Sequence, residues 1–275
     1  MYVHFLITRF NIVQDWYSSA NRNNANIQSD EWLDERFRLF KQYCFPSVAN
    51  QDTDNFVWFV LFNSETPEKY KLQISSFENE CKIFKPLYLK PYGNENELVT
   101  TEIKKYLNEI HTHVITTRLD NDDMIRSDYI SIIQNAFSDE YDDVFLNYAT
   151  GYKYIENKKV LYAYMQEQGH YISRIVTRKN INYNVLVDHS VVASLADYQE
   201  IDTSSGPAWI ETIHQCNAWN RLDFLKPMYV KSPKFPDLNL SKKNYLCSLC
   251  NYYLSYTYKY VKRKIEKYII SIFVK

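Results

Sequence analysis

The stretch His113–Leu119 (H-V-I-T-T-R-L) runs without a break into Asp120-Asn121-Asp122-Asp123. An apolar, β-branched run of that length reads as a buried strand, and it delivers three carboxylates to its own carboxyl end. In an open α/β sheet that edge is where ligands bind. The neighbouring sequence has the matching rhythm. Tyr2–Thr8 and Asn55–Phe62 are apolar strand runs, Cys81–Phe84 predicts a short strand, and Asp143–Tyr148 another. Between them lie helical patterns. One is capped at Asp30, carries Trp32, Leu33, Phe37 and Phe40, and is expected to stop near Pro46. Others open at Glu65-Thr66-Pro67, cover Leu98–Ile110, and run from a Ser127 cap to Phe137. Strands alternating with helices predict a Rossmann-type α/β fold, with a mostly parallel central sheet flanked by helices. From Tyr152 the pattern turns to shorter, more antiparallel strands, and a helical segment is expected around Trp209 to Trp219.

Composition narrows the chemistry. The chain has four glycines in 275 residues, Gly93, Gly151, Gly169 and Gly206, no two close enough for a glycine-rich phosphate loop. That excludes most dinucleotide-binding dehydrogenases, P-loop NTPases and protein kinases. With 45% hydrophobic and 24% charged residues the chain can bury a core, so disorder is excluded for most of its length. Five cysteines, an odd number without a framework spacing, point to a reducing compartment. The Cys247–Cys250 pair lacks the partners of a zinc site. The first residues lack the features of a signal peptide, and no apolar run reaches membrane-spanning length, so a cytoplasmic location is expected.

Acids two apart at the end of a strand can face one crevice, and hard oxygen donors suit Mg²⁺ or Mn²⁺. An ion held there would bind a diphosphate and stabilise charge developing on the leaving phosphate. The same four residues would also serve as a solvated turn capping the helix near Ser127.

The block Thr116–Asp123 resembles the DxD signature of GT-A nucleotide-sugar glycosyltransferases. Four further stretches, in order over roughly residues 3–225, are similar to the rhamnosyltransferase family of bacterial surface-polysaccharide loci. They are Phe5–Asn11; Trp32–Phe40 with Tyr43–Val48; Phe56–Phe59; and Pro207-Ala208-Trp209 with His214 and Asn217. The resemblance implies a GT-A-like domain over residues 1–235. It implies a nucleotide-diphosphate sugar as donor, such as a rhamnose donor, and a glycan or lipid-linked glycan as acceptor. By carry-over, Asp120 would lie near the donor ribose or sugar and also at the ion, Asp122 would ligate the metal, and Asp123 would support them or cap the next helix. His214 would be a late ligand to the same ion, or else a packed helix histidine beside Trp209 and Trp219. Thr8, Arg9 and Phe10 would hold base and ribose, with Asn63 a like candidate. Arg118 would meet a donor oxygen or pair with Asp120.

An inverting transfer needs a base for the acceptor hydroxyl, and Glu211 and Asp188 are the candidates. Glu211 would share a helical face with His214 if that segment is helical. A nucleotidyltransferase with a similar acidic site, or a non-catalytic carbohydrate-binding or scaffold protein, are the alternatives.

Residues 236–275 form a separate unit, expected to be a helical tail. From Ser241 to Lys275 there are eight Lys or Arg against one acid, a net +7, which leaves −8 on the rest of a chain whose total is −1. Eight aromatics are interleaved with those cations. A basic, aromatic, amphipathic helix suits an anionic membrane face, or alternatively packs on the body. An acidic body without a recognition module argues against nucleic acid as partner.

Overall fold

The computed structural model describes residues 1–14, 28–165, 169, 171–187, 192–214 and 235. Among these, a seven-stranded sheet has the order β10-β6-β9-β4-β1-β2-β3, and a four-stranded sheet the order β5-β11-β7-β8. The first half supplies β1 (Tyr2–Arg9), β2 (Val57–Asn63), β3 (Phe84–Leu89), β4 (His113–Arg118), the short β5 (Met124–Ile125) and β6 (Val144–Asn147). The second half supplies β7 (Thr150–Ile155), β8 (Val160–Met165), β9 (Ile172–Thr177), β10 (Asp197–Glu200) and β11 (Trp209–Ile213). Strands β3, β2, β1 and β4 are mutually parallel, as are β10 and β6, while β9 runs antiparallel between β4 and β6. This is the expected α/β architecture.

Both faces of the large sheet are covered, which is why its strands read as continuous apolar runs. Leu6, Trp58, Val60 and Phe62 pack on one face against Leu33 and Phe37 of α1 (Asp30–Leu39), Tyr70 and Ile74 of α3 (Glu68–Glu80), and Ile130 and Ile133 of α5 (Tyr129–Asn135). Phe5, Ile7, Phe59 and Leu61 point the other way, onto Val99 and Ile103 of α4 (Glu95–Tyr106).

Several boundaries differ from the sequence expectation. Helical backbone does not stop at Pro46: a π-helical turn, Phe40–Cys44, carries it into α2 (Phe45–Ala49). Pro46 lies just after that turn, at the start of α2, and having no N–H it cannot continue the ladder by which the Phe45 N–H reaches the Phe40 carbonyl. Ser29, not Asp30, caps α1, accepting a bond from the Trp32 N–H. The helix after the acidic stretch starts at Tyr129 with Asp128 before it, so Ser127 is not its cap. The third strand begins at Phe84, where the prediction had it end.

The largest correction concerns Trp209–Ile213, a strand and not the start of a helix. Its sequence W-I-E-T-I is rich in β-branched residues, which favour a strand, and it finds a parallel partner in β7. Ile210 sits beside Tyr152 and Glu211 beside Lys153. A Cβ on Gly151 would fall 2.0 Å from the Trp209 indole, so the glycine opens the sheet surface for that ring. The indole stacks on Tyr171 at 4.2 Å and donates to the Tyr148 carbonyl.

Beneath the acidic end of β4 lies a polar chain. His4 Nε2 meets Thr117 Oγ1 at 2.8 Å, and that hydroxyl meets Ser173 Oγ at 2.6 Å. Burial pushes the imidazole pKa of His4 down to about 3. The unfolded chain therefore takes up a proton near pH 6.5 that the folded chain refuses, and stability is lost as pH falls from there toward 3. Unfolding in urea should show a loss of about 2 kcal/mol between pH 7 and pH 5 from this group alone. His4→Gln should flatten that part of the profile, and an unchanged slope in the variant would contradict the assignment.

Candidate active site

The strand order reverses between β1 and β4: β2 and β3 extend to one side of β1, while β4 lies on the other. A crevice opens beyond the carboxyl ends at such a switch point. The acidic stretch occupies it. Asn121 spans the gap, donating from Nδ2 to the carbonyls of Arg9 (2.8 Å) and Phe10 (3.0 Å). Asp123 N–H closes the turn on the Asp120 carbonyl.

The three carboxylates have three different environments. Asp120 is the most exposed and accepts from Arg118 through Nε and Nη2, both at 3.3 Å. Asp122 is buried, unlike a residue of a solvated turn. Its Oδ2 accepts from Arg36 Nη1 at 2.6 Å and meets His214 Nε2 at 2.8 Å. Burial raises its proton affinity, but the Arg36 charge and the His214 hydrogen bond outweigh that and hold the carboxyl below the usual carboxylate range. Asp123 is also buried and goes the other way: burial, then the charges of Asp122, Asp120 and Glu211, push its pKa well up. It accepts from Tyr171 Oη at 2.7 Å and from the Thr212 N–H at 2.8 Å. Asp123 thereby ties β11 to the turn.

That tie explains how His214, ninety-two residues away, reaches Asp122. β11 lies antiparallel to β5, with Trp209 beside Ile125, and ends on His214 at the crevice. Because the segment is extended, Glu211 and His214 do not share a helical face. Glu211 is buried and pairs with Lys153 at 3.0 Å, the Lys153 ammonium lying 4.1 Å from the Tyr164 ring centre. Burial raises its pKa, Lys153 opposes this, and Asp122 and Asp120 add to it.

The other predicted residues also have definite places. Thr8 is buried, its hydroxyl accepting from Trp58 Nε1 at 2.9 Å. Arg9 forks onto Glu95 at 2.8 and 2.6 Å. Phe10 lies in the core among Phe37, Phe40 and Phe62. Asn63 is buried and accepts from the Glu65 N–H. Asp188 lies outside the described residues.

Arg36 is the participant that the sequence reading missed. It bonds Asn121 Oδ1 at 3.2 Å as well as Asp122, and its guanidinium lies 5.1 Å from the Trp32 ring centre. A signal was present: Arg36 falls in phase with Trp32, Leu33 and Phe37 on the buried side of α1. An arginine at a core position requires a counter-charge.

A divalent ion can be tested against this geometry. Among the described residues no three His, Cys, Asp or Glu side chains form a metal-binding group. Two donors of suitable chemistry do converge, the Asp122 carboxylate and the His214 imidazole. Ions of the Mg²⁺ or Mn²⁺ type take few protein ligands and complete their shell with phosphate oxygens and water. The chemistry of the two donors suits such an ion, while Asp122 Oδ2 also accepts from Arg36.

Comparison with known proteins adds the family. A model described as "Putative rhamnosyl transferase" matches residues 4–222. The chain belongs to that family. The family is described as one of rhamnosyl transferases, and the α/β sheet described above is the architecture expected from the sequence. No curated protein matches. Similar solved structures include TarS residues 1–349 of S. aureus in complex with UDP, 12% identical, covering 78% of this chain and 61% of that one, TM-score 0.45. Another is the inositol-1-phosphate CTP transferase from T. maritima, 12% identical, covering 76% and 89%, TM-score 0.37. The chain spans about three-fifths of the TarS fragment's length.

The Arg36–Asp122 pair generates a stability prediction. Asp122→Ala removes the carboxylate that faces the buried Arg36 guanidinium, and breaking a buried pair from one side costs about 3–5 kcal/mol. Adding Arg36→Met should recover much of that loss in urea unfolding. If the two losses simply add, the pair is not coupled as the structure implies.

Proposed function

We propose that this transferase moves a sugar, rhamnose in the reading the family suggests, from a nucleotide-diphosphate donor to a glycan acceptor in bacterial surface-polysaccharide synthesis. The observation that carries the reading is the meeting of Asp122 and His214 at the switch point of the sheet. In this reading Asp122 and His214 hold a Mn²⁺ or Mg²⁺ ion, which when bound neutralises charge on the departing diphosphate.

The chain's own residues do the rest. Asp120 lies at the exposed side of the turn, where it suits a contact to donor ribose or sugar, with Arg118 beside it. The carboxyl ends of β1 and β2, with Thr8, Arg9, Phe10 and Asn63, form the side on which base and ribose are expected. If transfer inverts the anomeric centre, Glu211 or Asp188 takes the proton of the attacking hydroxyl. For Glu211, burial and the nearby acids favour proton uptake.

Incubating the protein with Mn²⁺ and a panel of nucleotide sugars tests the reaction class. Release of free sugar and nucleoside diphosphate is expected; pyrophosphate release would favour a nucleotidyltransferase, and failure of every nucleotide sugar to bind would favour an inert protein. His214→Ala should weaken Mn²⁺ dependence and donor affinity together. A variant with wild-type metal response would remove His214 from the ion.

The proposed tail, 236–275, lies outside the described residues, and so does the pair Cys247–Cys250. Among the described residues no helix is long and apolar enough to cross a membrane. We assign the tail to the anionic cytoplasmic membrane face, where a lipid-linked acceptor would lie. Each Lys or Arg near such a surface contributes about 1 kcal/mol, a term that salt screens. The full chain should therefore sediment with anionic vesicles at low salt and release as salt rises, whereas a chain ending at Leu240 should stay in solution. Sedimentation that ignores the truncation would overturn the assignment.

A further inference from the structure

Past the end of β3, Lys90-Pro91-Tyr92-Gly93 forms a turn closed by the Gly93 N–H on the Lys90 carbonyl at 2.9 Å. Pro91 fixes the second position at φ near −65°, and Tyr92 in the third has φ 59°. That combination is a type II turn, whose third position calls for Gly or Asn. The glycine of this turn stands one residue later, where a side chain would lie 2.8 Å from Leu89 and 2.9 Å from the Lys90 carbonyl. An aromatic side chain thus occupies the one position of the turn least suited to it. Packing gives no reason for it: Tyr92 is 66% exposed, and among the described residues its ring makes no hydrogen bond or ring contact. A bulky residue held in the left-handed region without local compensation points to function.

The turn is fastened to the crevice. The Tyr92 N–H donates to the Val13 carbonyl at 2.9 Å, Gln14 Nε2 donates to the Gly93 carbonyl at 2.8 Å, and Glu95 takes the Arg9 fork. The backbone leaving β1 is the same stretch that Asn121 ties to the acidic turn. Tyr92 therefore stands at the carboxyl edge of the sheet, on the β1–β2–β3 side of the switch point, on a rigidly held loop.

We propose that Tyr92 is the platform on which the base of the donor nucleotide stacks. The inference rests on the nucleotide-sugar reading above and names one residue of that site. An exposed, rigidly mounted ring offers its face to a base without needing hydrogen bonds, and such stacking changes affinity by about tenfold or more per base.

The test measures binding of UDP and dTDP, each with Mn²⁺, to the full chain by calorimetry, with inorganic diphosphate as the probe that lacks a base. Tyr92→Phe should bind all three as wild type does. Tyr92→Asn removes the ring and suits the left-handed position, so its Tm should rise while its affinity for the preferred nucleoside diphosphate falls about tenfold or more and diphosphate binding stays unchanged. If Tyr92→Asn binds the nucleoside diphosphate as tightly as wild type, or loses diphosphate equally, the stacking role is wrong although the donor reading stands. If wild type binds neither nucleoside diphosphate, the donor reading fails and the platform with it.

Discussion

A carboxylate removed from water must be matched by positive charge or hydrogen bonds, and Asp122 is such a carboxylate at the centre of this protein. Arg36 reaches it from α1, and His214 reaches it from the end of β11. Elements from two distant parts of the chain are thus bound to one oxygen of the turn, Asp122 Oδ2. Asn121 adds a third attachment of the turn through the carbonyls that end β1, and Asp123 a fourth through Thr212. Removing the charge at 122 would take a buried counter-charge from Arg36 and a hydrogen-bond partner from His214.

The three acids of the turn are chemically unlike because the fold surrounds them differently. Asp120 faces outward beside Arg118, Asp122 is held ionised by Arg36 and His214, and Asp123 is driven toward its protonated form by burial and by its neighbours. One outward carboxylate, one anionic carboxylate beside an imidazole and one acid that anchors a strand divide the labour of the turn. The second sheet completes it by bringing His214 in from β11, and Gly151 makes that possible by leaving room for Trp209.

Much of the fold was legible in the chain. Parallel strands covered on both faces carry unbroken apolar runs, so β1, β2 and β4 were readable from the order of apolar residues. The Pro46 region misled because a π-helical turn alters the local bonding pattern without leaving a mark in sequence. Trp209–Ile213 misled because an amphipathic five-residue segment fits helix or strand equally well until its partner is known, and the partner is β7, more than fifty residues upstream.

The order of residues by itself determined that a buried strand would end in three acids, that no glycine-rich phosphate loop exists, and that those acids would stand at the carboxyl edge of an α/β sheet. It also made the family recognisable through short, ordered stretches. Only the tertiary structure decided that Arg36 is the counter-charge of Asp122, that His214 meets the same carboxylate, and that Glu211 pairs with Lys153. The physical reason is distance along the chain: apolar periodicity and strand ends are local properties. Which charge neutralises a buried carboxylate depends instead on side chains eighty or ninety residues apart, brought together only when sheets and helices pack.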